Sequence, residues 1–491
     1  MRDNRDDKDN KNLTKNIKSL VVFFTVCFFS IIVYLTYFNL YVGDKILDDP
    51  SNKRIRAEEN EVLRGSILDS NGKVIAKSER LPNGNQKRIY EQGPLFSHVI
   101  GYNSYVYGKT GIESSFNDVL QGKSTGHDVF GSIFRTLKES MKKEEKRGSD
   151  VVLTLDSNVQ KAALKALGDE KGAIVAMDPK TGQVISMVST PTFDPENIDK
   201  KFKDYNKDNE NTPLINRATH GSYLPGSVFK IVTATAGYEN MSNIESFHDN
   251  CNGGLKIYNY TLKDYGGTSH GDIEIGEAIE KSCNHYFGTL GMKLGYDKLL
   301  ATAEKFMFNK EIPKDMGRYS IPMKTGKINV KNKKDKAAIA QDSIGQNQVS
   351  SSPIQMAMVA SAVANNGKLM TPYVVKEIKD RYGKTIDTPE PKVLSEVMDS
   401  SIANKLTKHM TDVVKSGTGK KASVKGVTVA GKTGSAQQND KNGKEMTHSW
   451  FIGFAPANNP KIAIAVIIEN GGVGGVKAAQ AAKEVLESYL K

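Results

Sequence analysis

The chain has 491 residues and a formal charge of +12, long enough for two or three folded units of about 100–200 residues each. Its lysines and arginines form no run interleaved with aromatics, which argues against a nucleic-acid binder and suits an exterior facing anionic lipid or an acidic envelope. Three cysteines make no disulfide framework and leave any Cys251–Cys283 pairing open, and no His/Cys/Asp/Glu cluster has metal-ligand spacing, so neither a metal nor a cofactor is expected.

Residues 1–19 form a polar tail of mixed charge, and from Ser19 to Gly43 no charged residue occurs. The apolar core Leu20–Tyr41 matches the roughly 20 residues needed to cross a bilayer, and no small-residue cleavage site follows it. Lys11, Lys15 and Lys18 precede the span and Asp44 follows, so a transmembrane helix over 20–42 with a cytoplasmic tail is expected, everything after Gly43 lying outside. Residues 43–150 are more charged. Arg64–Gly72 reads as strand, turn and strand, and the solvated run 139–147 marks a boundary. This part carries no residues for chemistry and reads as a spacer domain.

From Asp150 the texture changes. Val151–Asp156 reads as a strand ending at a helix cap, 158–167 has helical spacing, and 172–178 with 183–188 forms a hairpin through Pro179-Lys180-Thr181-Gly182. Then comes Tyr223-Leu224-Pro225-Gly226-Ser227-Val228-Phe229-Lys230, whose continuation is apolar nearly all round and reads as a buried helix. Lys230 lies about one turn beyond Ser227 on the same face. A desolvated lysine that loses its proton can activate a serine hydroxyl, which is a poor nucleophile at its own pKa. Ser70–Lys73 and Ser140–Lys143 share the spacing, but in charged surroundings that read as surface.

A mostly helical stretch to about residue 365 follows. In it Ser282-Cys283-Asn284 comes after the helix-like 275–281, and in an extended or turn segment Ser282 and Asn284 point into one cleft. Ser115-Phe116-Asn117 shows how cheap that pattern is alone. Lys432-Thr433-Gly434-Ser435 ends the strand-like 427–431 and precedes a second strand, 449–454. Lys-Thr-Gly also occurs at Lys109, Lys180 and Lys324, but only Lys432 has this edge-strand setting. There the lysine and threonine can hold a carboxylate, and Gly434 reads as room for a substrate backbone. A strand over 461–469 and a helix over 476–490 close the chain, so start and end of this domain pair into one sheet.

Ser-x-x-Lys, then Ser-x-Asn, then Lys-Thr-Gly in one domain outside the membrane is the set found in penicillin-binding proteins and serine β-lactamases. The chain resembles a class B penicillin-binding protein, a peptidoglycan D,D-transpeptidase of the cell-division or elongation type. The likeness extends to Arg64–Gly72, Gly108 to Glu113, Leu153–Asp156, Asn216-Arg217-Ala218, Ser343–Gln346 and His448 to Pro456. It implies an α+β multidomain chain: a membrane anchor, a small β-rich spacer (43–150), and a transpeptidase domain (151–491) with a central antiparallel sheet, flanking helices and an all-helical subdomain. It implies Ser227 as the acylated nucleophile and Lys230 as its general base, with Ser282 and Asn284 relaying protons and binding the substrate amide. Lys432 and Thr433 are implied to hold the terminal carboxylate of a D-Ala-D-Ala stem peptide, and the N–H groups of Ser227 and Ser435 to form the oxyanion hole. Peptidoglycan strands as substrate, β-lactams as covalent inhibitors, the cytoplasmic membrane and a membrane glycosyltransferase are the implied partners. The spacer is short for that family, and neither an appended C-terminal module nor a glycosyltransferase domain is expected.

Four alternatives stay open on the residues. A serine β-lactamase uses the same nucleophile but needs a water-activating group, and no Glu-x-x-Leu-Asn lies between Ser282 and Lys432. A D,D-carboxypeptidase differs only in its acceptor. A membrane β-lactam sensor needs a cytoplasmic output that a tail of about 18 residues does not supply. An inactive scaffold sits poorly with an intact three-part motif.

Overall fold

The computed structural model describes residues 3–38, 59–123, 146–313, 319–329, 332–439 and 445–491. They fall into two compact units, Met1–Glu61 with Ser104–Gly108, and Val62–Asn103 with Lys109–Lys491. The first is dominated by helix α1, Asp3–Tyr37. Its stretch Thr14–Tyr37 is the only helix among the described residues long and apolar enough to cross a membrane. Thr25 and Thr36 donate their hydroxyls to the carbonyls of Val21 and Ile32 one turn back, 2.8 Å each, which spends those polar groups inside the helix. The end of the expected span, residues 39–42, lies outside the described residues, as do Ser140–Lys143.

The second unit contains two large sheets. One has six strands in the order Thr385–Asp387, Val375–Lys379, Asp150–Leu153, Ile67–Leu68, Val74–Arg80 and Gln86–Tyr90. The strand–turn–strand expected over 64–72 belongs to it. Its turn closes because Asp69 Oδ1 accepts the N–H groups of Asn71 (2.9 Å) and Lys73 (2.8 Å), while Gly72 takes φ +84°. Ile67 pairs antiparallel with Ala76 and, on its other side, parallel with Val151. Residues 375–387 complete this sheet from far down the chain, a pairing no local pattern announces.

Beneath that sheet Glu113 is fully buried between two arginines. Arg64 Nε meets its Oε2 and Arg88 Nε its Oε1, both at 2.7 Å, and Arg64 Nη2 also reaches the Glu113 carbonyl at 2.7 Å. Burial pushes the carboxyl up, but the two guanidiniums outweigh it and hold it below its ordinary value. This ion triad accounts for two of the quoted motifs, Arg64-Gly65 and Gly111-Ile112-Glu113. Gly65 itself is required by a close approach: a Cβ there would lie 2.0 Å from the Ser149 carbonyl oxygen.

The central sheet has five strands, here β1 (Gly172–Met177), β2 (Val184–Thr190), β3 (Ala430–Asn439), β4 (Glu445–Ala455) and β5 (Ile462–Ile468). Their order is β3-β4-β5-β1-β2, all antiparallel, so the start and end of the domain do pair, Val175 opposite Ala465. Strand β3 begins at Ala430 rather than at Val427 and lies at the edge. Helices α2 (Ser157–Leu167), α5 (Pro353–Ala364) and α6 (Lys477–Leu490) pack on the sheet, while α3 (Lys230–Asn240) and α4 (Asn284–Leu294) pack against each other. Asp156 caps α2 by accepting from Asn158 N (2.7 Å) and Val159 N (3.2 Å). On one face α2 and α6 pack Val159, Ala163, Ala482 and Val485 against Ile174 and Ile464. On the other lies α5, every residue of which is buried. An apolar run without amphipathic period is what a helix enclosed on all sides requires.

The stretch read as mostly helical is interrupted by two small antiparallel pairs, Asp249–Cys251 with Gly271–Ile273 and Gly254–Ile257 with Tyr260–Lys263. These strands are three or four residues long, too short for a period-2 alternation to show.

Candidate active site

Ser227 does not open an α-helix. It sits on the single 3₁₀ turn Gly226–Phe229, and the α-helix starts at Lys230. The turn is clamped from outside. Gly226 N donates to Gly345 O at 2.9 Å, and Thr233 Oγ1 to Ser343 O at 2.7 Å, which is what the Ser343–Gln346 motif contributes. Gly226 has φ +57°, and a Cβ there would lie 2.8 Å from the Ser435 carbonyl oxygen, so the serine turn rests on the backbone of β3. Gly434 closes the contact from the other side: its Cβ would meet Pro225 O at 3.0 Å and Val228 N at 3.1 Å. The neighbour that excludes a side chain at Gly434 is thus the turn that carries Ser227.

Ser282 has φ +60° and Cys283 is extended, so the pair forms the sharp bend between the helix Ile275–Glu280 and α4, which begins at Asn284. That bend brings the second motif to the first. Lys230 Nζ donates to Ser282 O (2.6 Å), Asn284 Oδ1 (2.7 Å) and Ser282 Oγ (3.3 Å), and Lys432 Nζ donates to the same Ser282 Oγ at 2.8 Å. Both lysines are fully buried. Burial pulls the Lys230 ammonium down to about 8, against the upward pull of Cys283, Asp264 and Cys251. Lys432 is held well below its ordinary value by burial and by the nearby Lys230 charge. Two amines of reduced basicity thus share one hydroxyl, an arrangement suited to moving a proton between them.

Lys432 Nζ also donates to the carbonyl of Thr433 at 3.0 Å. Thr433 Oγ1 bonds Thr418 Oγ1 at 2.7 Å, and Ser435 is half-buried with its hydroxyl accepting from Gly474 N at 3.2 Å. Sequence reasoning missed Thr418, since a lone threonine in a polar loop carries no signal. Arg217 and Tyr223 brace the site from behind. Arg217 Nε and the Tyr223 hydroxyl both bond Glu469 Oε1, at 2.8 and 2.7 Å, and Trp450 Nε1 bonds the Leu224 carbonyl at 3.0 Å.

Asp264 was also invisible. Its carboxylate accepts the N–H groups of Asn284 (2.5 Å) and His285 (3.3 Å), fixing the start of α4 from below. Around it Cys251, His270 and Cys283 bring one ligand atom each, the four atoms lying within 4.8 Å of one another. Both cysteines are free thiols. Two thiols, an imidazole and a carboxylate fit tetrahedral zinc, whose bonds of about 2.3 Å to sulfur place two thiolates about 3.8 Å apart. The four residues come together only in the fold, since their sequence spacing matches no zinc motif. Cys283 stands between Ser282 and Asn284, so a metal here would secure the bend from inside.

Residues 172–487 match the family model described as penicillin binding protein transpeptidase domain, and residues 64–151 the penicillin binding protein A dimerisation domain. The chain belongs to the penicillin-binding protein transpeptidase family. This penicillin-binding protein is 30% identical over 501 residues to the peptidoglycan D,D-transpeptidase PbpA of Mycolicibacterium smegmatis, covering 98% of this chain and 99% of that one. It is 34% identical to the peptidoglycan D,D-transpeptidase MrdA of Acinetobacter baumannii, over 82% of this chain and 66% of the relative. Among solved structures it is similar to penicillin-binding protein A from M. tuberculosis in its ceftriaxone acyl-enzyme complex, with TM-score 0.81 and 29% identity, over 88% of this chain and all of that one.

Proposed function

We propose that this penicillin-binding protein is a peptidoglycan D,D-transpeptidase in which Ser227 is acylated. The observation that carries this reading is the single hydroxyl of Ser282 bonded to both buried amines, Lys230 and Lys432, beside the Ser227 turn. Neutral Lys230 takes the Ser227 proton as Oγ attacks the carbonyl between the two D-Ala residues. The N–H groups of Ser227 and Ser435 hold the oxyanion; losing one such donor costs about 3–4 kcal/mol of barrier. The proton passes through Ser282 to the departing D-Ala amine, leaving an ester on Ser227. An amine of a neighbouring stem peptide then attacks that ester, gives its proton back along the same path and frees the serine. Asn284 holds the substrate amide, and Thr433, with Thr418 behind it, holds the terminal carboxylate together with Lys432.

The same reading takes the tail 1–19 as cytoplasmic, 20–42 as a single-pass anchor, 43–150 as a spacer and 151–491 as the catalytic domain outside. Support comes from Lys11, Lys15 and Lys18 before the apolar helix and Asp44 after it. A membrane glycosyltransferase supplying nascent strands is the partner that such placement calls for. The test is covalent labelling of the full chain in detergent by a fluorescent penicillin. The expected result is a label stable for hours on the parent and none on Ser227→Ala. Rapid loss of label would point instead to a β-lactamase.

A further inference from the structure

The loop that clamps the Ser227 turn is itself wound around one buried carboxyl. Ser343 O accepts from Thr233 Oγ1 at 2.7 Å and Gly345 O from Gly226 N at 2.9 Å. The two segments lie in direct contact: a Cβ on Gly345 would stand 2.2 Å from the Gly226 carbonyl oxygen and 2.7 Å from Phe229 Cβ. Gly345 has φ +75° and Asn347 φ +59°, so the loop turns twice through left-handed backbone. Both turns close on Asp342. Its carbonyl accepts from Gly345 N at 2.9 Å, and its Oδ1 accepts from Asn347 Nδ2 at 3.1 Å and Gln348 N at 3.2 Å.

Asp342 ends the short helix Lys336–Asp342 and is fully buried. Its second oxygen, Oδ2, is also buried and meets no donor among the described residues. A carboxylate so placed costs stability, because it has left water without filling its acceptor sites and stands at a helix end whose free carbonyls repel it. Burial pushes the carboxyl up to about 6, opposed by the Gln348 N–H and the Asn347 amide and reinforced by Asp335. Packing does not account for a carboxyl here. What accounts for it is the loop that it holds.

We propose that Asp342 is a positioning residue for acylation: its carboxyl ties the loop 343–348, and through the Ser343 and Gly345 carbonyls that loop holds the Ser227 turn against β3. The proposal rests on the transpeptidase reading. A slack turn lets the Ser227 hydroxyl and N–H drift from their aim, and a displacement of about 1 Å costs about a hundredfold in rate. The carboxylate pocket at Thr433 and Thr418 is built on other elements, so loss of Asp342 slows the chemical step and spares binding.

The test follows covalent labelling of the full chain in detergent by a fluorescent penicillin at several concentrations, which separates the limiting acylation rate from the half-saturating concentration. Asp342→Leu is expected to lower the limiting rate at least about tenfold and to leave the half-saturating concentration within about twofold of the parent's. Asp342→Asn keeps an acceptor oxygen where Oδ1 stands, and is expected to recover the rate to within about threefold. Asn347→Gly removes one donor to the carboxyl at an exposed position whose φ +59° suits glycine. It is expected to melt with the parent and to acylate at least about threefold more slowly, and it decides the question if Asp342→Leu does not fold. A parent-like limiting rate in folded Asp342→Leu or in Asn347→Gly overturns the proposal. So does an Asp342→Asn protein as slow as Asp342→Leu, or slowing that lies wholly in the half-saturating concentration. A parent that penicillin does not label defeats the transpeptidase reading and the positioning role with it, whereas a labelled parent with unaltered variants defeats the positioning role alone.

Discussion

If Lys230 is the base, acylation must follow its titration. The group titrates at about 8, so half of the molecules hold the free amine at pH 8 and about 1% at pH 6, each unit below the midpoint removing a further factor of ten. The second-order rate of penicillin acylation is therefore expected to fall by at least about tenfold from pH 8 to pH 6 and to level off at higher pH. The sign follows from the chemistry: the protonated ammonium cannot accept the Ser227 proton, so activity is lost as pH falls. The assay is in-gel fluorescence after timed exposure of the full chain, with circular dichroism confirming that the fold persists across the range. Lys230→Arg sharpens it. A guanidinium keeps the charge but never deprotonates in this range, so acylation should drop by roughly 10²–10⁴. A flat profile in the parent, or a residual activity in Lys230→Arg that still titrates near pH 8, would refute the assignment and pass the base role to Lys432.

Three further outcomes follow from the geometry. Glu113→Gln leaves two buried guanidiniums without their shared carboxylate and is expected to cost about 3–5 kcal/mol of stability by denaturant titration; a loss under 1 kcal/mol would mean the triad is dispensable. Gly434→Ala presses a methyl against Pro225 O and Val228 N, so acylation should slow at least tenfold while far-ultraviolet dichroism stays unchanged; wild-type acylation would show that the turn yields freely. Zinc is expected to raise the melting temperature of the chelator-treated protein, and Cys251→Ser to remove that rise. An unchanged melting temperature with and without zinc would mean the four ligand atoms hold no metal.

Strands β1 and β5 were legible because consecutive buried residues such as Ile174–Met177 and Ile462–Ile468 leave a plain apolar run, and their pairing follows from fold class. The three motifs were legible because each carries chemistry in its letters. What holds them in place was not. Asp264 reaches Asn284 across twenty positions, the Thr418–Thr433 bond spans fifteen, and the cluster Cys251, Asp264, His270 and Cys283 exists only once two short strand pairs have folded. Such contacts are products of tertiary placement, and no period or propensity encodes them. The serine turn shows a subtler limit: an apolar run predicts a helix, but only the backbone of β3 and the carbonyl of Gly345 tighten its first turn to 3₁₀.

The six-stranded sheet also sets the order of events in biosynthesis. Strands 67–90 lie beside 150–153, and those in turn beside 375–387, so the amino-terminal part leaves the ribosome with an open edge that only a much later segment can close. Until residue 387 has been made, that edge offers unpaired N–H and carbonyl groups to any neighbouring chain. The sheet is complete only once that distant segment has paired with residues 150–153.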